Sequence, residues 1–294
     1  MRSTRLFLLL LCLLGLPLSG CNDTSPPATQ DAGGRVTPEV STPSVANTSA
    51  STAPPNTAST ANQDTSTDAI STVSKAGALP QTLPPITIHL AGDSTVMTYV
   101  ATTKQEGWGQ ELAQFFNAQV TIDNKAIGGA NVKTFKNGNW KKIIPALKPG
   151  DYVLIQFGAN DSGTAHGPVT PADFAATLGQ MADEAGAKGA TTIFVTPSAF
   201  YQWSGTKEDN TRLAPYAAAM LSEGAAKNVL VADLNARGVE YLDSIGQTAA
   251  TPLYLPSRGT VDKAHFLKAG AIKMAELVAE EVRRIKSPLA GYLK

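Results

Sequence analysis

From residue 86 onward, short apolar runs alternate with longer stretches in which apolar residues recur at helical spacing. Residues 86–91 (Ile-Thr-Ile-His-Leu-Ala) read as a strand that ends in a turn at Gly92. Residues 152–157 form the clearest buried strand, a near-continuous apolar run bounded by Gly150 and Gly158. Residues 120–122, 192–195 and 229–232 supply three further short strands. Between them, 172–187 and 215–226 carry helical patterning. The last helix shows a one-sided stripe at Ala271, Ala275, Val278, Val282 and Ile285. Apolar strands that alternate with helices predict an α/β three-layer sandwich whose central sheet is mostly parallel and covered on both faces. In such sheets, sites form in loops beyond the carboxyl ends of the strands. Ser94 and Asn160 each follow a predicted strand closely, so both are expected at that edge.

The first 85 residues read differently. A basic head (Met1-Arg2-Ser3-Thr4-Arg5) precedes an apolar run over 6–18 and then Ser19-Gly20-Cys21. That order describes a secretory signal over residues 1–20. The run is too short for a membrane span, which needs roughly 20 apolar residues. Leu18-Ser19-Gly20-Cys21 resembles the lipobox of bacterial lipoproteins, which implies cleavage before Cys21 and acylation of it. The expected location is the bacterial cell envelope, with the chain lipid-anchored. Residues 21–85 are mostly Ser, Thr, Ala, Pro and Asn, too poor in large apolar side chains to offset the entropy of folding. They are expected to be a disordered tether, with an end-to-end distance of roughly 40–50 Å.

Composition narrows the remaining classes. The chain has two cysteines, Cys12 and Cys21. The first lies in the signal and the second is the lipidation candidate, so the folded part has no disulfide and no cysteine-based zinc or redox motif. The 24 basic residues balance the 24 acidic ones, and nothing points to nucleic acid or an anionic membrane surface. Residues 86–294 are long enough for one domain with a full core.

Candidate chemistry sits at the two ends of that domain. Gly92-Asp93-Ser94-Thr95 offers a nucleophile, and Asp262-Lys263-Ala264-His265 offers a base with a carboxylate three residues before it. Those are the parts needed for acyl transfer through a serine, which requires no cofactor and no metal. Only three histidines exist, His89, His166 and His265. His89 falls within a strand and His166 in a loop, and His265 alone has the neighbouring carboxylate. Each candidate also has a plainer role. Ser94 and Asp262 could cap helices or turns, and Asn160 could be a loop-forming residue.

Gly92-Asp93-Ser94-Thr95, Gly128-Gly129, Gly158-Ala159-Asn160-Asp161 and Asp262-Lys263-Ala264-His265 occur in the order of the four blocks of SGNH (GDSL-type) hydrolases. Over residues 86–294 the chain resembles that family, and within it the rhamnogalacturonan acetylesterase branch. Thr95, Gly107-Trp108-Gly109, Gln156-Phe157-Gly158 and Ala269-Gly270-Ala271 carry the finer resemblance. It implies a flavodoxin-like SGNH fold and a catalytic triad of Ser94, His265 and Asp262. It also implies an oxyanion hole from the N–H groups of Ser94 and Gly129 and the side-chain amide of Asn160. The implied activity is removal of O-acetyl groups from an acetylated polysaccharide or oligosaccharide. Two departures bear on the substrate cleft: Ala130-Asn131 replaces an Arg-Ser pair, and Ala159 replaces a frequent histidine. Trp108, Tyr201 and Trp203 are candidates to stack on a sugar. A lipid esterase, lysophospholipase or thioesterase of the same fold is the alternative, and a non-catalytic binding protein is the third reading. The particular substrate and the oligomeric state are left open.

Overall fold

The computed structural model describes residues 83–165 and 167–294. The expected signal, Cys21 and nearly all of the expected tether lie outside the described residues, as does His166. In chain order the strands are β1 (Ile86–Gly92), β2 (Gln105–Glu106), β3 (Val120–Asn124), β4 (Tyr152–Gln156), β5 (Thr191–Val195), β6 (Trp203–Ser204), β7 (Lys207–Glu208), β8 (Leu230–Ala232), β9 (Tyr254–Ser257) and β10 (Thr260–Leu267). The α-helices are α1 (Trp108–Glu111), α2 (Val132–Asn137), α3 (Trp140–Ile143), α4 (Pro171–Gly186), α5 (Ala214–Lys227), α6 (Leu234–Ala250) and α7 (Lys268–Arg284).

The five predicted strands form the central sheet, in the order β3-β1-β4-β5-β8, and every pair is parallel. Alternation along the strands divides the core into two faces. Ile88, Leu90 and Leu154 point into a cluster with Trp108, Leu112, Met274 and Val278. Ala91, Val153 and Ile155 point into a second cluster with Phe135, Trp140, Phe174, Leu178 and Met220. Helices α1, α6 and α7 therefore cover one face, and α2 to α5 the other. This is the predicted three-layer sandwich.

Local signals set the helix ends. Thr170 caps α4, its hydroxyl accepting the Asp173 N–H at 3.1 Å, and Pro171 occupies the first turn. Helix α5 stops at Asn228, which takes the left-handed conformation (φ 54°). The α7 stripe is buried at Ala271, Ala275, Val278 and Val282, while Ile285 is the residue that ends the helix.

The sheet order changes direction beside β1: the chain moves first to β3 on one side and then to β4 on the other. Loops leaving β1 and β4 thus share one edge of the sheet, with Gly92 registered against Gln156. A small antiparallel sheet, β2-β10-β9, carries the segment from 254 to 267 up to that edge. A hairpin, β6-β7, rises from the loop after β5.

Glycine is obligatory where α7 meets the turn before β9. A Cβ at Gly270 would stand 2.1 Å from the Leu253 carbonyl oxygen and 3.2 Å from Phe266 Cβ. Gly270→Ala is expected to destabilise the fold by about 1–3 kcal/mol through this overpacking. Gly186→Ala, with no atom within 4 Å, is the control and should raise stability by about 0.4–1 kcal/mol. Urea melts of both variants check the pair; equal shifts would contradict the packing assigned to α7.

Candidate active site

The loop after β1 has to fold back over the strand end. A side chain at Gly92 would come within 2.5 Å of Val96 Cγ2, so that return requires glycine. Asp93 follows, wholly buried, with Oδ1 accepting the Thr95 N–H at 2.9 Å and the Thr95 hydroxyl at 2.7 Å. Thr95 Oγ1 accepts from Gln156 Nε2 at 2.7 Å, and Gln156 Oε1 accepts from Trp108 Nε1 at 2.7 Å. Ser94 is held on its other side by Tyr99, whose hydroxyl donates to the Ser94 carbonyl at 3.0 Å. The serine side chain is then left for other partners.

One of those partners lies 171 residues away. Ser94 Oγ and His265 Nε2 are 2.9 Å apart, and His265 Nδ1 and Asp262 Oδ2 are 3.0 Å apart. Asp262 and His265 sit in β10 where the pairing register shifts between Val261 and Phe266. Such an irregularity re-aims side chains, here toward the sheet edge. Asp262 Oδ1 also accepts the N–H groups of Ala264 at 2.8 Å and His265 at 2.9 Å. Burial raises the Asp262 carboxyl, but the donors from His265 and Ala264 outweigh it and hold the group below the usual aspartate value. Asp262 does not cap the last helix, whose capping position is Leu267. Its Oδ1 does cap the local turn, through the Ala264 and His265 N–H groups, while Oδ2 faces the imidazole.

The Gly128-Gly129 turn lies against the serine. A Cβ built on Gly128 would be 3.9 Å from Ser94 Cβ, and Gly129 takes a left-handed conformation (φ 76°). Neither the Ser94 N–H nor the Gly129 N–H reaches an acceptor among the described residues. Asn160 Nδ2 donates to the Ala130 carbonyl at 3.0 Å, fastening its amide to the same turn. A carboxamide has two N–H donors, so one remains. Asp161 braces the loop: Oδ1 accepts the Val132 N–H and Oδ2 the Gly158 N–H, both at 2.9 Å. Burial nevertheless pushes its carboxyl up to about 6, with repulsion from Asp93 adding to the rise. Asp93 is raised as well, by burial that its Thr95 bonds and His265 oppose.

All five predicted site residues converge: Ser94, His265 and Asp262 through direct contacts, Gly129 and Asn160 through the shared turn. One candidate needs revision. Trp108 is 1 % exposed with its N–H spent on Gln156, so it cannot stack on a sugar and serves the nucleophile loop instead. Tyr201 and Trp203 are half-buried and pack edge to face, ring centroids 6.0 Å apart. His89 is a buried strand residue bonded to Asp123 at 2.9 Å. Asn131, at the departure from the Arg-Ser pattern, caps α2 through a reciprocal capping box with Thr134. Tyr99 and Arg212 were not singled out from sequence, since an isolated tyrosine or arginine in a polar loop carries no periodic or motif signal. Among the described residues no cluster of histidine, cysteine, aspartate and glutamate fits a metal ion.

The chain is similar to known proteins over the same domain. The family model described as GDSL-like Lipase/Acylhydrolase family matches residues 90–271. The "Probable rhamnogalacturonan acetylesterase YesY" of Bacillus subtilis (strain 168) is 34 % identical over 207 residues, covering 69 % of this chain and 94 % of the relative. Rhamnogalacturonan acetylesterase RhgT of the same organism is 33 % identical over 220 residues, covering 71 % and 94 %. The crystal structure of protein YXIM from Bacillus subtilis superposes with a TM-score of 0.64 at 30 % identity, covering 70 % of this chain and 58 % of that one.

The β6-β7 hairpin stands beside the triad loop, joined to it by the Tyr201 N–H donating to the Lys263 carbonyl at 2.7 Å. Within the hairpin, burial pushes the Glu208 carboxyl up to about 7; the Phe200 N–H opposes the rise, and Asp209 and Asp243 add to it. A carboxyl raised in the folded chain favours folding while protonated, and that contribution is lost as pH climbs from about 4.5 through about 7. Glu208→Gln should therefore match the parent's melting temperature at pH 4 and exceed it at pH 8. Melting curves that stay parallel across that range would remove Glu208 from the titration.

Proposed function

We propose that this chain, which belongs to the GDSL-like lipase/acylhydrolase family, is a serine esterase that removes O-acetyl groups from a carbohydrate through an acyl-enzyme on Ser94. The carboxylic ester hydrolase class follows from the family and its acetylesterase relatives; the steps below are our reading of the site. The observation that carries it is the unbroken line from Ser94 Oγ through His265 to Asp262, beside unused N–H donors at Ser94 and Gly129.

Ser94 Oγ attacks the ester carbonyl while His265 Nε2 takes its proton. Asp262, kept ionised by its donors, fixes the imidazole with Nδ1–H toward the carboxylate and stabilises the imidazolium that forms. The oxyanion receives the N–H groups of Ser94 and Gly129 and the second amide hydrogen of Asn160. His265 returns the proton to the departing sugar hydroxyl, leaving acetyl on Ser94. Water activated by the same histidine then releases acetate and restores the serine. The two Bacillus acetylesterases support rhamnogalacturonan as the leading substrate class. Export and anchoring through Cys21 rest on the N-terminal sequence pattern alone.

Ser94→Ala should fold normally, release no acetate and escape labelling by a serine-directed phosphonate; labelling that persists in the variant would place the nucleophile elsewhere. Asn160→Ala should lower kcat by about 10²–10³-fold at nearly constant KM. A turn-forming role would instead lower stability and spare kcat. Acetate release from acetylated rhamnogalacturonan, compared with hydrolysis of long-chain acyl esters, tests the substrate class, and a preference for long chains would favour a lipid esterase.

For the N-terminus, Cys21→Ser should abolish incorporation of labelled fatty acid by the exporting bacterium. Continued incorporation would refute the lipobox.

A further inference from the structure

Arg212 belongs to neither the triad nor the oxyanion donors. It lies on the loop 196–213 between β5 and α5, yet its guanidinium reaches across to the Asn160 loop. Nη2 donates to the Ala159 carbonyl at 2.9 Å and Nε to Ser162 Oγ at 2.9 Å. Ser162 Oγ donates in turn to the same Ala159 carbonyl at 3.1 Å. Arg212 thus grips the chain on both sides of Asn160. The guanidinium carbon also stands 5.1 Å from the centre of the Phe200 ring, which supports it from the loop's own segment. The slot it enters is left open by Gly163, where a Cβ would stand 2.8 Å from Nη2.

The same segment is tied to the triad loop. Tyr201 N–H bonds the Lys263 carbonyl, and Ala264, between Asp262 and His265, packs on a cluster of Ala159, Phe200 and Leu213. One strap therefore touches the loop carrying the third oxyanion donor and the loop carrying the base. We propose that Arg212 is a positioning residue of the oxyanion hole: it sets the register of the Asn160 loop against the triad loop, so that the Asn160 amide meets the oxyanion formed by attack of Ser94.

This rests on the esterase reading above. It also explains why the residue is arginine. The grip needs two donors at fixed angles and a flat face on an aromatic ring, and a lysine ammonium supplies neither the fork nor the plane. No substrate contact by Arg212 is required.

The test uses a small neutral ester, p-nitrophenyl acetate, with the full chain. Arg212→Ala should lower kcat by about 10–100-fold with KM within about twofold, because a displaced donor costs transition-state and not ground-state binding. Methylguanidinium added to Arg212→Ala should recover part of kcat, whereas methylammonium should not. Gly163→Ala keeps the arginine but crowds it, and should show a smaller loss of kcat at unchanged KM. Should Arg212→Ala fold poorly, Arg212→Lys and Gly163→Ala carry the measurement. Normal kcat in folded Arg212→Ala or, failing that, in both other variants would overturn the proposal. So would a rise in KM alone, which marks a substrate contact, or a melting-temperature loss that guanidinium restores without restoring kcat. A parent chain that neither hydrolyses esters nor labels at Ser94 overturns the esterase reading and this inference with it. An active parent with an unaffected Arg212→Ala removes this inference alone.

Discussion

Trp108, Gln156, Thr95 and Asp93 form a buried hydrogen-bonded line in which the direction of every bond is determined. The indole can only donate, so Gln156 must turn its oxygen toward Trp108 and its amide toward Thr95. Thr95 Oγ1, having accepted that bond, gives its one hydrogen to Asp93. No step can be reversed without stranding a buried polar atom, at a cost of about 1–3 kcal/mol each. The line runs from α1 through β4 to the loop after β1, joining three separate elements beneath the serine. Ser94 points outward because the residues on either side of it are fixed inward.

Two kinds of carboxyl environment follow from that burial. Asp93 and Asp161 lie under the site, where desolvation raises both and Asp93 adds to the rise at Asp161. Asp161 accepts two backbone N–H groups and is still pushed up to about 6, because burial outweighs them. Asp262 is only partly buried and faces three donors from Ala264 and His265, so it is held low. Of these three carboxyls, the one held below its usual value is the one in contact with the imidazole. The site separates structural carboxyls from the charge-bearing one by solvation and donor count.

The parts legible in sequence were those with a repeating or local signal. The five central strands announce themselves as apolar runs because both sheet faces are covered, and α4, α5 and α7 show one-sided stripes. The four short blocks were readable as motifs in order: three follow the end of a strand, and the fourth, Asp262 to His265, lies within β10. Helix α6 was missed: Gly238 and a non-helical Gly246 (φ 77°) interrupt its pattern. The β2-β10-β9 sheet was missed because β2 and β9 are short and β10, though longer, is irregular through Asp262 to His265. Trp108 was open to misreading because exposure cannot be inferred from residue type; the neighbouring glycines were the available clue. A Cβ on Gly107 or Gly109 would strike the Val96–Met97 backbone at about 2.5 Å, and that close approach is what buries the indole.

The departures from the acetylesterase pattern fall where the loops brace one another. Asn131 is spent inside the protein: its side chain accepts the Thr134 N–H and donates to the Gly167 carbonyl at 3.2 Å. Ala159, where the branch often carries histidine, sends no polar group toward the cleft. Its methyl packs with Phe200, Leu213 and Ala264, and its carbonyl is taken by Arg212 and Ser162. A bulky imidazole at that position would have to displace this apolar contact between the Asn160 loop and the triad loop. The small side chain and the arginine grip are therefore one arrangement: alanine brings the two loops into contact, and a cation from a third loop holds them there. Positions 131 and 159 are thus both turned to internal bracing.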